Sequence, residues 1–344
     1  MNSEIIKFVA GAGKTTYSID YLANNTGGLY LAFTKSVVGE IYNAGYLSKT
    51  IDSFFFSYII PKFIRVVPII NNGSSVGYIN KDEVPKKFLG IMNIHIDPET
   101  GNILNKQKTT GFSLETDRTI LQNRSGKNSG YIKIIFSDKS LNLTDTLRNE
   151  LSQYLLLHYS DYIIDFIRER FSFVIIDEAQ DLGGYKEIFA RLIDESDIKT
   201  IMLGDDNQSI MSGAGDWFGS RTSTRVQNKS KRSPEPICSW IRDNLGIEIY
   251  GNDQLVGKYH QIKIDTTQKY DDGKRHLLYN AKNGKIEKIV DSWKGPKSTI
   301  KTAKGMTIEQ DIVIVGKQLS KKNLYTALTR TKQDAYSTVS IPNN

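Results

Sequence analysis

The run Ala10-Gly11-Ala12-Gly13-Lys14-Thr15-Thr16 follows an apolar stretch at residues 5–9 and precedes a helix-like segment. That is the context a phosphate-binding loop requires. Glycines let backbone N–H groups approach phosphate oxygens, and a helix N-terminus adds positive potential. A lysine reaches the β/γ-phosphates, and the hydroxyl after it ligates Mg²⁺. The strict spacing fails at one place, because Phe8 stands where the first glycine belongs. Alone, the run reads either as a nucleotide site or as a glycine-rich turn with a chance lysine. A second motif, Phe173-Val174-Ile175-Ile176-Asp177-Glu178-Ala179-Gln180-Asp181, ends an apolar run in two adjacent carboxylates. Beside a phosphate loop, the first helps hold Mg²⁺ and the second polarises an attacking water. The plainer reading is that both carboxylates cap a following helix.

These motifs need strands to carry them. Short continuous apolar runs recur at residues 5–9, 29–33, 173–176, 200–203, 312–315 and 338–341, as suits strands buried on both faces of a parallel sheet. Helix-like stretches lie between them at 17–24, 183–195 and 323–330. The expected class is α/β, with ligands at the carboxyl ends of the strands. Residues 57–160 read differently. They carry Pro61, Pro68, Asn71-Asn72-Gly73, Pro85, Pro98 and Ser125-Gly126-Lys127, with strand-like pieces such as 131–136, and are expected to form an inserted subdomain. A further boundary is expected near 218–221, where the basic stretch 221–232 begins.

Composition sets the class. With 344 residues, two domains are expected; 39% hydrophobic and 24% charged residues exclude a wholly disordered chain. One cysteine, Cys238, excludes an intramolecular disulfide framework, and four scattered histidines argue against a histidine-rich metal site. No apolar run reaches the ~18 residues of a membrane helix, and residues 1–7 lack a signal-peptide pattern. A cytoplasmic location, in a bacterial or infected host cell, is expected, with no membrane partner. The net charge of +7 is compatible with a polyanionic partner without requiring one.

With these residues in hand, the sequence resembles superfamily 1 helicases, most closely the UvrD/Rep/PcrA group. Motif I is Ala10 to Thr16. Leu29-Tyr30-Leu31-Ala32-Phe33-Thr34-Lys35 looks like motif Ia, and Thr50-Ile51-Asp52-Ser53-Phe54 like motif Ib. Motif II is Asp177-Glu178-Ala179-Gln180. Leu203-Gly204-Asp205-Asp206-Asn207-Gln208-Ser209-Ile210 matches motif III, and Ser230-Lys231-Arg232-Ser233 looks like motif IV. Thr302-Ala303-Lys304-Gly305-Met306-Thr307 looks like motif V, and Leu324-Tyr325-Thr326-Ala327-Leu328-Thr329-Arg330 matches motif VI.

The resemblance implies two RecA-like parallel-sheet lobes with ATP or another NTP between them. The first lobe would span 1–56 and 161–217, interrupted by a small accessory subdomain at 57–160. The second would span 218–344. Gly11, Ala12, Gly13, Lys14, Thr15, Thr16 and Gly305 would bind nucleotide, with Mg²⁺ on Thr15 and Asp177. Glu178 would be the general base, Gln208 the γ-phosphate sensor, and Arg232 and Arg330 arginine fingers. Single-stranded nucleic acid, expected to be DNA, would meet Phe33, Thr34, Lys35, Ser53, Phe54, Trp217 and Thr302. Core packing is an equal reading for Phe54. The polarity implied is 3′→5′, and replication or nucleoprotein partners are compatible with it.

The pattern also departs from the family. Motif I begins almost at the first residue, so the upstream adenine-reading glutamine is not seen. Lys231 replaces the usual aromatic before the motif IV arginine. Ser212-Gly213-Ala214-Gly215 replaces the aromatic and arginine that commonly follow motif III, with Trp217 nearby. Lys301 and Thr307 hold the usual histidine and glutamate positions of motif V, with Glu309 as a substitute for ribose binding. These departures predict relaxed nucleotide choice. About sixty residues between motifs IV and V leave little room for a large second insertion, and the Asn/Ile/Lys/Tyr-rich composition suits a compact viral or phage motor. Three other readings stand beside a helicase. One is a strand-stimulated NTPase that remodels nucleoprotein or serves as a subunit. Another is a viral RNA helicase of the same superfamily. The last is a P-loop switch or small-molecule kinase, which motifs III and VI oppose.

Overall fold

The computed structural model describes residues 3–63, 75–78, 94–101, 103–105, 108–112, 140–211 and 213–339. The sequence cues at Pro68, Asn71-Asn72-Gly73, Pro85, 125–130, 131–136 and Ser212 lie outside the described residues. Two compact units divide the chain. The larger comprises Ser3–Ser48, Phe173–Leu182 and Lys199–Asn344; the smaller is built from Lys49–Ser172 and Gly183–Ile198.

The larger unit holds two main sheets. In the first, the strand Ser3–Phe8 is flanked by Arg225–Gln227 and Thr200–Gly204. Phe173–Ile176 and Gly28–Ala32 follow in that order. Ser3–Phe8 runs parallel to both flanking strands, and Phe173–Ile176 runs parallel to Thr200–Gly204 and to Gly28–Ala32. Ile6, Phe8, Tyr30, Ala32, Ile175, Ile201 and Leu203 pack on one face with Leu22 and Ile41 from covering helices. Burial on both faces explains the apolar runs: Phe173, Val174, Ile175 and Ile176 are each at most 2% exposed. The order is a consequence of crossover. The phosphate-loop strand and the Asp177 strand are separated by Thr200–Gly204, so all three carboxyl ends, the last carrying Asp205, open at one edge.

The second sheet has five parallel-paired strands in the order Tyr259–Gln261, Ala335–Ser337, Ile312–Val315, His276–Tyr279 and Lys297–Thr299. The final strand falls earlier than the apolar run at 338–341 suggests. Ala335 and Ser337 are buried between Tyr259–Gln261 and Ile312–Val315, and this register decides the pairing rather than local hydrophobicity. Beyond it, Thr338 still donates its N–H to Ile314, while residues 340–344 lie outside the described set. The strand Arg225–Gln227 joins the first sheet although it follows Trp217 and the short helix Trp217–Ser220.

In the smaller unit, helices Asp145–His158, Ser160–Arg168 and Tyr185–Glu195 surround an aromatic cluster. Phe55 meets Tyr185 and Phe189 edge-on at 5.0 Å each. Thr144 caps the first helix by accepting from Leu147 N–H at 3.2 Å. Strands Ser75–Tyr78 and Ser140–Leu143 pair in parallel, and Ile94–Ile96, Ile103–Asn105 and Lys108–Phe112 form an antiparallel set.

Candidate active site

The phosphate loop is shaped by glycines at Gly11 (φ 72°) and Gly13 (φ 96°), conformations that L side chains rarely adopt. Gly13 starts the helix Lys14–Asn24 without any side-chain cap, which leaves its first N–H groups for an anion. Gly11 also permits a close approach. A Cβ there would lie 2.7 Å from Arg232 Cβ and 2.8 Å from Ser230 Oγ, and its carbonyl accepts from Lys231 N–H at 2.9 Å. The motif IV strand Lys229–Pro234 is thereby held directly against the loop.

The Asp177–Glu178 pair sits at the end of its strand, both residues buried. Asp177 accepts from Tyr30 O–H at 2.5 Å and from the Glu178 N–H at 2.7 Å. Burial pushes the Asp177 carboxyl above its ordinary range, and the Glu178 charge adds to that. Burial acts the same way at Glu178, but Lys14 and Lys304 outweigh it and hold that carboxyl down. Lys14 Nζ lies 3.3 Å from Glu178 Oε1. Burial works against the Lys14 charge, yet Glu178, Asp177 and Asp205 leave its pKa raised. Glu178 is the one non-glycine residue with positive φ (56°) among the described residues. Such a backbone costs of order 1–3 kcal/mol and persists where neighbours over-determine it. Here Gln180 does so. Its amide donates to Glu178 Oε2 and accepts from Asp205 N–H at 3.0 Å.

From the second sheet's side, the helix Lys321–Leu328 brings Tyr325 and, just past its end, Arg330. Arg330 is 2% exposed and donates to Gln208 Oε1 at 2.7 Å. Gln208 Nε2 donates to Asp205 Oδ2 at 2.7 Å. Lys304 pairs with Asp181 at 2.5 Å and donates to the Gln208 carbonyl. Arg232 donates to the Met306 carbonyl at 3.3 Å and the Thr307 hydroxyl at 3.4 Å, while its Nε is buried without a partner. Burial and the nearby Arg330 charge push the Arg232 guanidinium below its ordinary value.

Several of these groups open onto one cavity of about 380 Å³. Its walls include Gly11, Ala12, Gly13, Lys14, Thr15 and Thr16 of the loop, Asp177, Glu178 and Gln208, and Arg232, Gly305 and Arg330. All the residues expected from sequence to bind or hydrolyse nucleotide are brought together there. Thr307, Glu309 and Lys231 line it as well, with Glu309 paired to Lys332 at 2.8 Å. For Mg²⁺, the expected donors are hard oxygens, a hydroxyl and a carboxylate, and that chemistry fits the ion. Among the described residues, no group of three or more His, Cys, Asp or Glu is arranged for a metal. Sequence reasoning did not single out Tyr30, Asp205, Lys304 or Tyr325 as site residues. Each stood inside a recognised motif, but only the tertiary pairing shows what its side chain does.

The strand-binding candidates are spread out. Phe33 and Thr34 are half-buried at the end of Gly28–Ala32, and Lys35 is exposed at the start of the helix Lys35–Asn43. Trp217 is half-buried with Arg221 over its ring at 5.9 Å, and Thr302 is exposed, bonded to the Thr299 hydroxyl at 2.7 Å. In the smaller unit Ser53 is half-buried, and its N–H donates to Thr50 Oγ1 at 3.1 Å. Phe54 is fully buried and stacks on Tyr58 at 5.6 Å, so of its two readings the structure gives core packing. Within 221–232, Lys229 pairs with Asp253 at 3.6 Å, Arg225 lies over Tyr17 at 6.0 Å, and Lys231 and Arg232 face the cavity.

Residues 82–216 match the family model of the UvrD/REP helicase N-terminal domain. That stretch is therefore similar to the N-terminal domain of UvrD/REP helicases, the group that the ordered motifs resemble. Solved structures that the chain is similar to include arterivirus nonstructural protein 10 (helicase) in complex with DNA, at 13% identity and a TM-score of 0.48, covering 99% of this chain and 62% of that one. The arterivirus protein 10 crystal structure gives 13%, 0.47, 97% and 59%, and the PRRSV helicase 12%, 0.48, 99% and 55%. The chain thus spans 55–62% of the length of these structures. No curated protein matches it. Among the described residues no helix is long and apolar enough to cross a membrane.

Proposed function

We propose that the chain hydrolyses ATP or another NTP with Mg²⁺ and uses the cycle to move along single-stranded nucleic acid, as a helicase or translocase on DNA with 3′→5′ polarity. The observation that supports this reading best is the single cavity in which Lys14, Glu178 and Gln208 face Arg232 and Arg330. Lys14 and the loop N–H groups would take the β/γ-phosphates, and Thr15 and Asp177 would hold Mg²⁺. The bound ion supplies charge neutralisation on the phosphate oxygens. When phosphate draws Lys14 away, Glu178 loses the cation that suppresses its basicity and becomes competent to orient and deprotonate water. Arg330 would leave Gln208 for the transferring phosphoryl group, with Arg232 beside it. A phosphate between the two guanidiniums also relieves their mutual repulsion. Residues 1–56 and 161–217 would act as one RecA-like lobe, 218–344 as the other, and 57–160 as an accessory insertion. Phe33, Thr34, Lys35, Ser53, Trp217 and Thr302 remain the proposed strand contacts.

The test is steady-state hydrolysis with and without single-stranded DNA or RNA, with Lys14→Ala and Arg330→Ala alongside. Strand stimulation that both substitutions abolish is expected; a wild-type rate indifferent to either strand overturns the motor reading. Greater stimulation by RNA selects the viral RNA helicase alternative. Displacement of a tailed duplex separates an unwinding enzyme from a strand-stimulated NTPase that remodels nucleoprotein.

A further inference from the structure

Tyr325 is fully buried, and its hydroxyl joins two parts of the site that are far apart in sequence. It accepts from the Ala10 N–H at 3.0 Å, at the entry to the phosphate loop, and donates to Asp205 Oδ2 at 2.9 Å. The single phenolic proton fixes both directions. Ala10 has only a donor to offer, so the proton must go to the carboxylate. Asp205 Oδ2 also accepts from Gln208 Nε2, and Gln208 Oε1 accepts from Arg330. Turning the Gln208 amide over would set its NH₂ against the guanidinium and its oxygen against the carboxylate, so this network specifies one orientation.

We infer that the Tyr325 hydroxyl is a positioning group that, through Asp205, fixes the Gln208 amide and thereby sets where Arg330 rests relative to the phosphate loop. Tyr325 and Arg330 flank the same helix end, so the hydroxyl ties the arginine-bearing segment to Ala10 itself. A shift of the loop on taking up phosphate is passed to Asp205 and Gln208 by hydrogen bonds instead of side-chain packing. Tyr325 touches no reacting atom. Its effect belongs to turnover, not to nucleotide affinity. The inference rests on the hydrolytic reading above and adds a residue to it.

The experiment is Tyr325→Phe, which keeps the buried ring and removes only the hydroxyl, beside Asp205→Asn and the double variant. Steady-state hydrolysis is measured at saturating single strand, with a fluorescent ATP analogue titrated to report binding. The expected result is a kcat lower by about tenfold with KM within about threefold of wild type, and a double variant no slower than the slower single one. Unchanged kcat in Tyr325→Phe overturns the inference, as do multiplicative losses in the double variant. A loss confined to KM and analogue affinity does the same. Should Tyr325→Phe fail to fold, Asp205→Asn carries the same kcat-against-KM test, because one edge of its amide must present a donor to a donor. Absence of hydrolysis in the wild-type chain overturns the hydrolytic reading itself; hydrolysis that is present and indifferent to the hydroxyl overturns only this inference.

Discussion

The Lys14 ammonium lies 3.3 Å from Glu178 Oε1, so the cation expected to grip phosphate also neutralises the carboxylate expected to activate water. The two roles exclude each other, and nucleotide binding would be what separates them. Lys14→Ala therefore removes the expected phosphate ligand and also a charge that holds Glu178 low. Hydrolysis is expected to fall by about 10²-fold or more, as for loss of one preorganised charge-stabilising donor, with weaker nucleotide binding in the same titration. Retained hydrolysis would exclude the loop as the phosphate site.

Arg330 offers a sharper test because, among the described residues, Gln208 is the one side-chain hydrogen-bond partner it has beyond its own segment. Arg330→Ala is expected to bind nucleotide within a few-fold of wild type and to lose about 10³-fold in kcat, the scale of an arginine finger. Arg330→Lys should not rescue it, since an ammonium lacks the planar guanidinium fork that matches phosphate oxygens bidentately. Loss of binding without loss of kcat would instead make Arg330 a nucleotide anchor.

Local signals carried much of this site. The apolar run 173–176 ends in Asp177 because a strand buried on both faces needs such a run, and its carboxyl end opens at the sheet edge. Phe33 was read from its likeness to motif Ia, and its surroundings decide its role, not its type. Tyr325 and Lys304 were less legible. Nothing in Leu324-Tyr325-Thr326 says that the phenol reaches Ala10, 315 positions away, because that contact exists only once the two sheets share a cavity. The strand at 335–337 was missed for the opposite reason. Its sequence is locally polar, and it is buried by its neighbours.

Asp52 of the smaller unit gives a prediction about stability. It accepts from Tyr185 O–H at 2.6 Å and pairs with Lys186 at 2.8 Å and Arg148 at 3.1 Å. Burial pushes the carboxyl up, but Lys186 and Arg148 outweigh it and leave the pKa lowered. The stabilisation is therefore fully present above the ordinary Asp range near 4 and is lost as pH falls through the lower native value. Asp52→Asn is expected to cost about 1–3 kcal/mol at pH 7. Melting curves of both proteins should converge on acidification toward pH 3; a gap that widens in acid would show the carboxylate is not the source.

Gly204 tests how tightly the carboxylate strands are packed. A Cβ there would lie 2.5 Å from Phe218 and 2.6 Å from Gln180 Oε1. Phe218 is 1% exposed and cannot retreat, so the strain falls on Gln180, which holds both Glu178 and Asp205 N–H. Gly204→Ala is expected to destabilise by about 1–3 kcal/mol and to lower kcat beyond what the melting shift explains at a temperature where the variant is folded. A stable variant with full kcat would show that the Gln180 bridge is dispensable.

Nucleotide choice is set by what faces the base. Lys231 lines the cavity, and its Nζ lies 3.6 Å from where a Cβ on Gly13 would sit. Its backbone N–H is already committed to Gly11. An ammonium so near the loop adds charge for phosphate but offers no π-face on which a purine can stack. Affinity then comes mostly from the triphosphate, which all four nucleotides share, and little from the base. ATP, GTP, CTP and UTP are expected to be hydrolysed with kcat/KM values within about tenfold of one another, because without a stacking face the site would discriminate mainly on the triphosphate they share. Lys231→Tyr should spread the series toward the purines by supplying the missing face, at some loss of affinity for free triphosphate. Strict preference for ATP in the wild-type chain would mean that other cavity residues read adenine, with Glu309 and Thr307 the first to substitute.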